Sequence, residues 1–135
     1  MKKIIIAILV VAAAGAGYWY FGSLKVAEND KVKVEFPRIN EKVSSPLLVT
    51  GQARGSWFFE ASFPITLKDD NGNIVAQGYA MTADDWMTTN FVSFESIPLT
   101  FERTPTTKKG VLILHKDNPS GLPEHDEELR IPVRF

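Results

Sequence analysis

The sequence predicts an all-β protein: an antiparallel β-sandwich of about seven strands, preceded by one N-terminal transmembrane helix. Three observations carry this. Apolar residues alternate with polar ones at the two-residue period of a half-buried strand, most plainly at Val32, Val34 and Phe36 and again at Leu129, Ile131, Val133 and Phe135. Gly, Pro, Asn and Asp cluster between such segments, with Asn71-Gly72 the strongest hairpin signal. Beyond Gly22 no segment repeats its apolar residues at helical spacing, whereas Ile4 to Gly22 carries no charge.

At the N-terminus, Lys2 and Lys3 precede the apolar run and Tyr18-Trp19-Tyr20-Phe21 closes it, as aromatic residues do where a helix leaves a bilayer. Residues 1–22 are therefore expected to form an uncleaved single-pass anchor, with the two lysines inside and everything after Ser23 outside. The alternative is a signal peptide cut among the small residues Ala12 to Ala16, which leaves a secreted domain. Residues 23–30 are short, polar and unpatterned and read as a tether. Residues 31–135 are the folded domain.

Within that domain Val32 to Phe36 is the first strand, ended by Pro37. Leu47 to Arg54 is the second, with the small residues Gly51 and Ala53 leaving room for a large neighbour such as Trp57. The aromatic segment Trp57-Phe58-Phe59 then crosses to a strand in which Phe63, Ile65 and Leu67 share one face. That strand pairs with Ile74 to Met81 through a turn expected to be type I′, because Asn71-Gly72 tolerates two consecutive positive φ angles. Thr82 to Asn90 is a polar loop around Trp86 and Met87, and Phe91 to Phe101 returns as a strand kinked at Pro98. Val111 to Leu114 is an unbroken apolar run suited to a sheet centre. Lys116 to Glu128 is a long loop, and Leu129 to Phe135 is the last strand. Short strands with regular turn signals define a sandwich of immunoglobulin-like type.

Composition excludes several functions. The 15 Lys and Arg balance 16 Asp and Glu, so no overall positive field exists to draw the protein onto nucleic acid. Cysteine is absent, which removes disulfides, thiolate metal sites and a thiol nucleophile.

The segments Ser44 to Leu47, Val49 to Gly55, Trp57 to Phe63, Asp85-Trp86-Met87, Phe91 to Glu95, Asp117 to Gly121 and Ile131 to Phe135 resemble, in this order, the immunoglobulin-like domain of bacterial spore germination proteins. The resemblance implies an extracytoplasmic module on the outer side of a bacterial cytoplasmic membrane. It brings no catalytic residues.

No reaction is written in the remaining residues. His115 and His125 lack zinc-site spacing, and Asp69, Asn71 and Asn73 open like a calcium loop but reach Ala80 where a Glu is needed. Asp117, Asn118, Glu124, Asp126, Glu127 and Glu128 could supply oxygen ligands or simply form a solvated acidic loop. Glu60, Asp84 and Asp85 have no spacing that sets a catalytic carboxylate pair. No metal and no cofactor is expected. The candidate binding residues are Trp57, Phe58, Trp86 and Met87, either packed as core or gathered in an exposed patch. In the second case they dock a protein of the cell envelope or stack on the sugars of peptidoglycan. Arg54 and Glu60 bracket the aromatic run and are expected to pair, since two charges beside so much apolar surface are costly to leave unmatched.

Overall fold

A computed structural model describes residues 24–135; the expected anchor at residues 1–22 lies outside the described residues. Nine strands form one curled sheet. They are β1 (Ala27–Glu28), β2 (Val32–Phe36), β3 (Glu41–Lys42), β4 (Thr50–Arg54), β5 (Ser62–Asp69), β6 (Ile74–Met81), β7 (Phe91–Ser96), β8 (Lys109–His115) and β9 (Glu128–Arg134). Their order across the sheet is β1-β2-β4-β7-β6-β5-β8-β9-β3. The ladder between β6 and β7 is narrow, limited to Ala80 opposite Ser96 and Met81 opposite Glu95. Among the described residues there is no α-helix, and no helix long and apolar enough to cross a membrane.

The two-residue period places the core. Val32 and Val34 from β2, Phe63, Ile65 and Leu67 from β5, and Ile131 and Val133 from β9 are all buried in a single cluster, while their neighbours along each strand face out. Gly51 permits close approach rather than housing Trp57. A Cβ there would stand 2.2 Å from the Lys33 carbonyl and 3.0 Å from the Phe94 ring, so Phe94 fills the space.

Several expectations are corrected. Within the segment expected to be a tether, Ala27 is buried and pairs with Val34, making Ala27–Glu28 (β1) an edge strand of the sheet. The short β3 runs parallel to β9, so the sheet is not wholly antiparallel. The second strand begins at Thr50 rather than Leu47, whose backbone bonds instead with Leu99. Phe91 to Phe101 is not one kinked strand: β7 stops at Ser96, because Pro98 has no N–H to continue a ladder. The β5–β6 hairpin exists, but its turn is not type I′. Only Gly72 has positive φ (81°), and the Gly72 N–H bonds to the Asp69 carbonyl at 3.0 Å, the arrangement of an ordinary turn followed by one left-handed residue.

The strand directions give the domain two ends. The chain enters at Leu24 and Lys25, held by the Arg38 side chain on the Leu24 carbonyl (3.3 Å) and the Ile39 N–H on the Lys25 carbonyl (2.9 Å). The 37–49 loop, the Asp69–Asn73 turn and the 97–108 segment share this entry end. Residues 55–61, 82–90 and 116–127 form the opposite, crossover end.

Candidate functional site

Gly55–Trp57 is one 3₁₀ turn that carries the chain from β4 toward β5. It directs Trp57 and Phe58 inward, where they are only 1% and 4% exposed. Both rings meet Phe63 edge-on, at 5.8 and 5.2 Å between centroids, and Phe63 meets Phe94 in turn at 5.0 Å. Edge-to-face contact adds to the gain from burying large apolar rings, so the interior wins over an exposed patch. The indole N–H of Trp57 is satisfied by the Glu127 carboxylate at 3.2 Å, and its carbonyl by the Asp117 N–H at 3.0 Å. Trp57 is thus the joint between the crossover and the long loop. The exposed version of the Trp57 and Phe58 site is overturned, and Trp57 has no face to stack on a sugar.

The chain then reverses between Phe59 and Ser62, each donating to the other's carbonyl at 3.0 and 3.1 Å. Glu60 and Ala61 between them have φ of 50° and 64°. The two consecutive left-handed residues expected at Asn71-Gly72 therefore occur here, on residues that pay for them sterically. The reversal leaves Phe59 42% exposed.

Arg54 and Glu60 do not pair. Arg54 lies on the outer face of the sheet opposite Phe91, where its guanidinium stacks on that ring at 3.9 Å and bonds to the carbonyls of Asp30 (3.3 Å) and Thr89 (3.4 Å). Glu60 is exposed at the tip of the reversal. The aromatic face and the two carbonyls supply the stabilisation that a carboxylate was expected to give.

The 82–90 loop packs against the crossover so closely that a Cβ on Gly55 would lie 2.0 Å from the Thr88 carbonyl and 2.2 Å from that of Trp86. Trp86 is half-buried against the core. Met87, whose N–H is fixed by the Asp85 carboxylate at 3.0 Å, is 77% exposed. Of the four binding candidates, then, Trp57 and Phe58 are core, Trp86 straddles the boundary and Met87 is free. Within the aromatic run the exposed ring is Phe59, which no alternation in the sequence separates from Trp57 and Phe58.

The acidic loop does not gather its carboxylates. Asn118 donates to Asp126 at 2.7 Å and to the Leu122 carbonyl, Glu127 receives Trp57, and Glu128 receives Arg130 at 2.7 Å with His115 at 3.7 Å. Among the described residues no three metal-ligating side chains converge.

At the other end Asp69 is buried and organises two loops. Its carboxylate receives the N–H groups of Asn71 and Asn73, the amide of Asn73, and both the N–H and hydroxyl of Thr106. Burial pushes this carboxyl up, but the bonds from Thr106 and Asn73 outweigh it and lower its pKa from 3.8 to about 2.

A curled all-β sheet closed over one aromatic core defines an immunoglobulin-like module. The chain belongs to the family of the immunoglobulin-like domain of bacterial spore germination, which it matches over residues 31–121. No curated protein and no solved structure matches it.

Proposed function

We propose that this chain is a non-enzymatic interaction module of the bacterial cell envelope, tethered to the membrane by residues 1–22 and holding a partner protein at its crossover end. The observation that carries the reading is positional. Exposed Phe59 and Met87 sit with half-buried Trp86 on loops at the end of the sandwich opposite the entry of the chain at Leu24 and Lys25. A partner approaching from outside meets that end first. Exposed Glu60 follows Phe59 in the chain and exposed Asp84 and Asp85 precede Trp86 and Met87, carboxylates that favour a partner with a basic surface. Membership of the germination family supports an envelope role.

A photo-crosslinking residue at Met87 in intact cells tests the partner. One discrete protein adduct, absent from the same label at Tyr79 and lost on Phe59→Ser, is the expected result. No adduct at position 87, or retention of the purified protein on peptidoglycan instead, replaces the reading. The tether is tested separately: the protein is expected to stay with membranes through a high-salt wash and to retain Met1 by mass spectrometry, whereas a mature terminus near Gly17 means a secreted domain.

A further inference from the structure

We infer that the entry end of the domain is a docking face for the surface of an anionic bilayer, so that the module rests on the membrane in one orientation; this rests on the tethered reading above. The carrying observation is a row of like charges. In the sheet register Lys109 stands opposite Arg134, and Arg134 stands opposite Lys42 on its other side. All three are exposed, and among the described residues none is in an ion pair; the ion pairs present join His115 and Arg130 to Glu128. Of the acids at this end, Glu41, Asp70 and Glu102 neutralise none of them by an ion pair, Glu41 instead accepting the N–H of Arg38 at 3.1 Å. Like charges set side by side on adjacent strands repel, so the row costs stability that an external anion relieves.

The position of the row selects the anion. Lys25, at the point where the chain enters, is on the same end, as is Lys108 beside Lys109. The charge-free run Ile4 to Gly22 lies just upstream of that entry in the sequence. A domain tethered there carries its entry end toward the lipid headgroups, where basic residues are attracted to an anionic leaflet within about one Debye length. Apolar groups accompany the charges. Phe36 and Leu48 are 40% and 42% exposed and flank an open groove formed with Lys42, Val43 and Pro46, as suits side chains that enter an interface while neighbouring cations remain at headgroup level. On the opposite end the acids Glu60, Asp84, Asp85, Glu124 and Glu127 outnumber the bases Lys31, Arg54 and Lys116, so the charge asymmetry of the domain favours the same orientation.

The chain has no cysteine, so Leu48→Cys gives a unique site for an environment-sensitive fluorophore, with Glu124→Cys as the far-end control. The full chain is reconstituted in nanodiscs of phosphatidylcholine with or without phosphatidylglycerol, each carrying a nitroxide-lipid quencher. Quenching at position 48 is expected to be several-fold stronger in the anionic discs and absent at position 124. It should fall to the phosphatidylcholine level in K42E/K109E/R134E, or in K108E/K109E if the triple variant does not fold. Equal quenching in both lipids, or quenching at 48 that survives charge reversal, overturns the docking face. A chain that stays in the discs with its label at 48 unquenched refutes docking alone, while a chain that is not retained by the discs refutes the tether and docking together.

Discussion

Arg54 lays its guanidinium over the face of Phe91, 3.9 Å from the ring centroid, with the ammonium of Lys33 approaching the same ring at 5.2 Å. This stack links β4 to β7 on the outer face, directly across the ladder from which both side chains project. A cation over an aromatic face at a part-exposed site contributes about 0.5–1 kcal/mol. A double-mutant cycle on Arg54 and Phe91, read by chemical denaturation, should give a coupling of that size. The same cycle on Arg54 and Glu60 should give zero, and a measurable Arg54–Glu60 coupling would contradict the geometry.

Trp57 should be the costliest single residue to truncate. Its ring is buried among Phe58 and Phe63 and its N–H is committed to Glu127. Trp57→Ala is expected to destabilise the domain by about 3–5 kcal/mol, the usual range for removing a large buried aromatic ring. Glu127→Gln, which keeps an acceptor for the indole on an exposed loop, should cost less than about 1 kcal/mol. Equal losses in the two variants would mean that the charge of the Glu127 acceptor, rather than the packing of the ring, holds the crossover.

Acid should weaken the entry-end loops through Asp69. With a folded pKa of about 2 against an ordinary 3.8, the folded state holds this carboxylate in its charged form more strongly than the unfolded chain does. Its contribution is therefore complete above the unfolded pKa and is lost as pH falls through about 3.8 to about 2. Unfolding midpoints measured between pH 5 and pH 2 should drop more steeply for the native protein than for Asp69→Asn, which cannot ionise. Thr106→Ala, by removing the strongest of the donors that lower the pKa, should narrow the window. Parallel curves for all three proteins would show that Asp69 titrates alike in both states.

How much of this was readable in the sequence depends on the range of the interaction. β2, β5 and β9 are visible because a half-buried strand imposes its two-residue period on residues such as Val32 and Val34 or Ile131 and Val133, whereas β6, which buries Val75 and Ala76 in succession, is marked only by the Asn71-Gly72 turn before it. β1 and β3 are two residues each and have no period; they are strands only because Val34 and Arg134 lie beside them. The burial of Trp57 and exposure of Phe59 follow from one 3₁₀ turn and a reversal, and three consecutive aromatics carry no alternation to reveal it. Asp69 reads as a turn residue, yet its hydroxyl donor Thr106 is distant in sequence and nothing local announces it. The apolar and charged ends were likewise invisible until strand order brought Lys42, Lys109 and Arg134 into one row.

The reversal at Glu60 and Ala61 yields a stabilising prediction. Both residues hold left-handed backbone, at φ 50° and 64°, inside a reversal closed by the mutual bonds of Phe59 and Ser62. Two central residues of positive φ are the requirement of a type I′ turn, for which Asn followed by Gly is the preferred pair. Glycine adopts this conformation without the Cβ clash that costs a residue such as alanine about 1–2 kcal/mol. Against this gain stands the greater freedom of glycine in the unfolded chain, about 0.5–1 kcal/mol. E60N/A61G should therefore raise stability by up to about 1 kcal/mol and leave the near-ultraviolet signature of Trp57 unchanged, since neither substituted side chain belongs to the core. Partner crosslinking at Met87 should separate shape from charge: full retention in E60N/A61G assigns recognition to the exposed apolar side chains, and its loss assigns a share to the Glu60 carboxylate. A double variant less stable than the parent would mean that the left-handed geometry is not strained at these two positions.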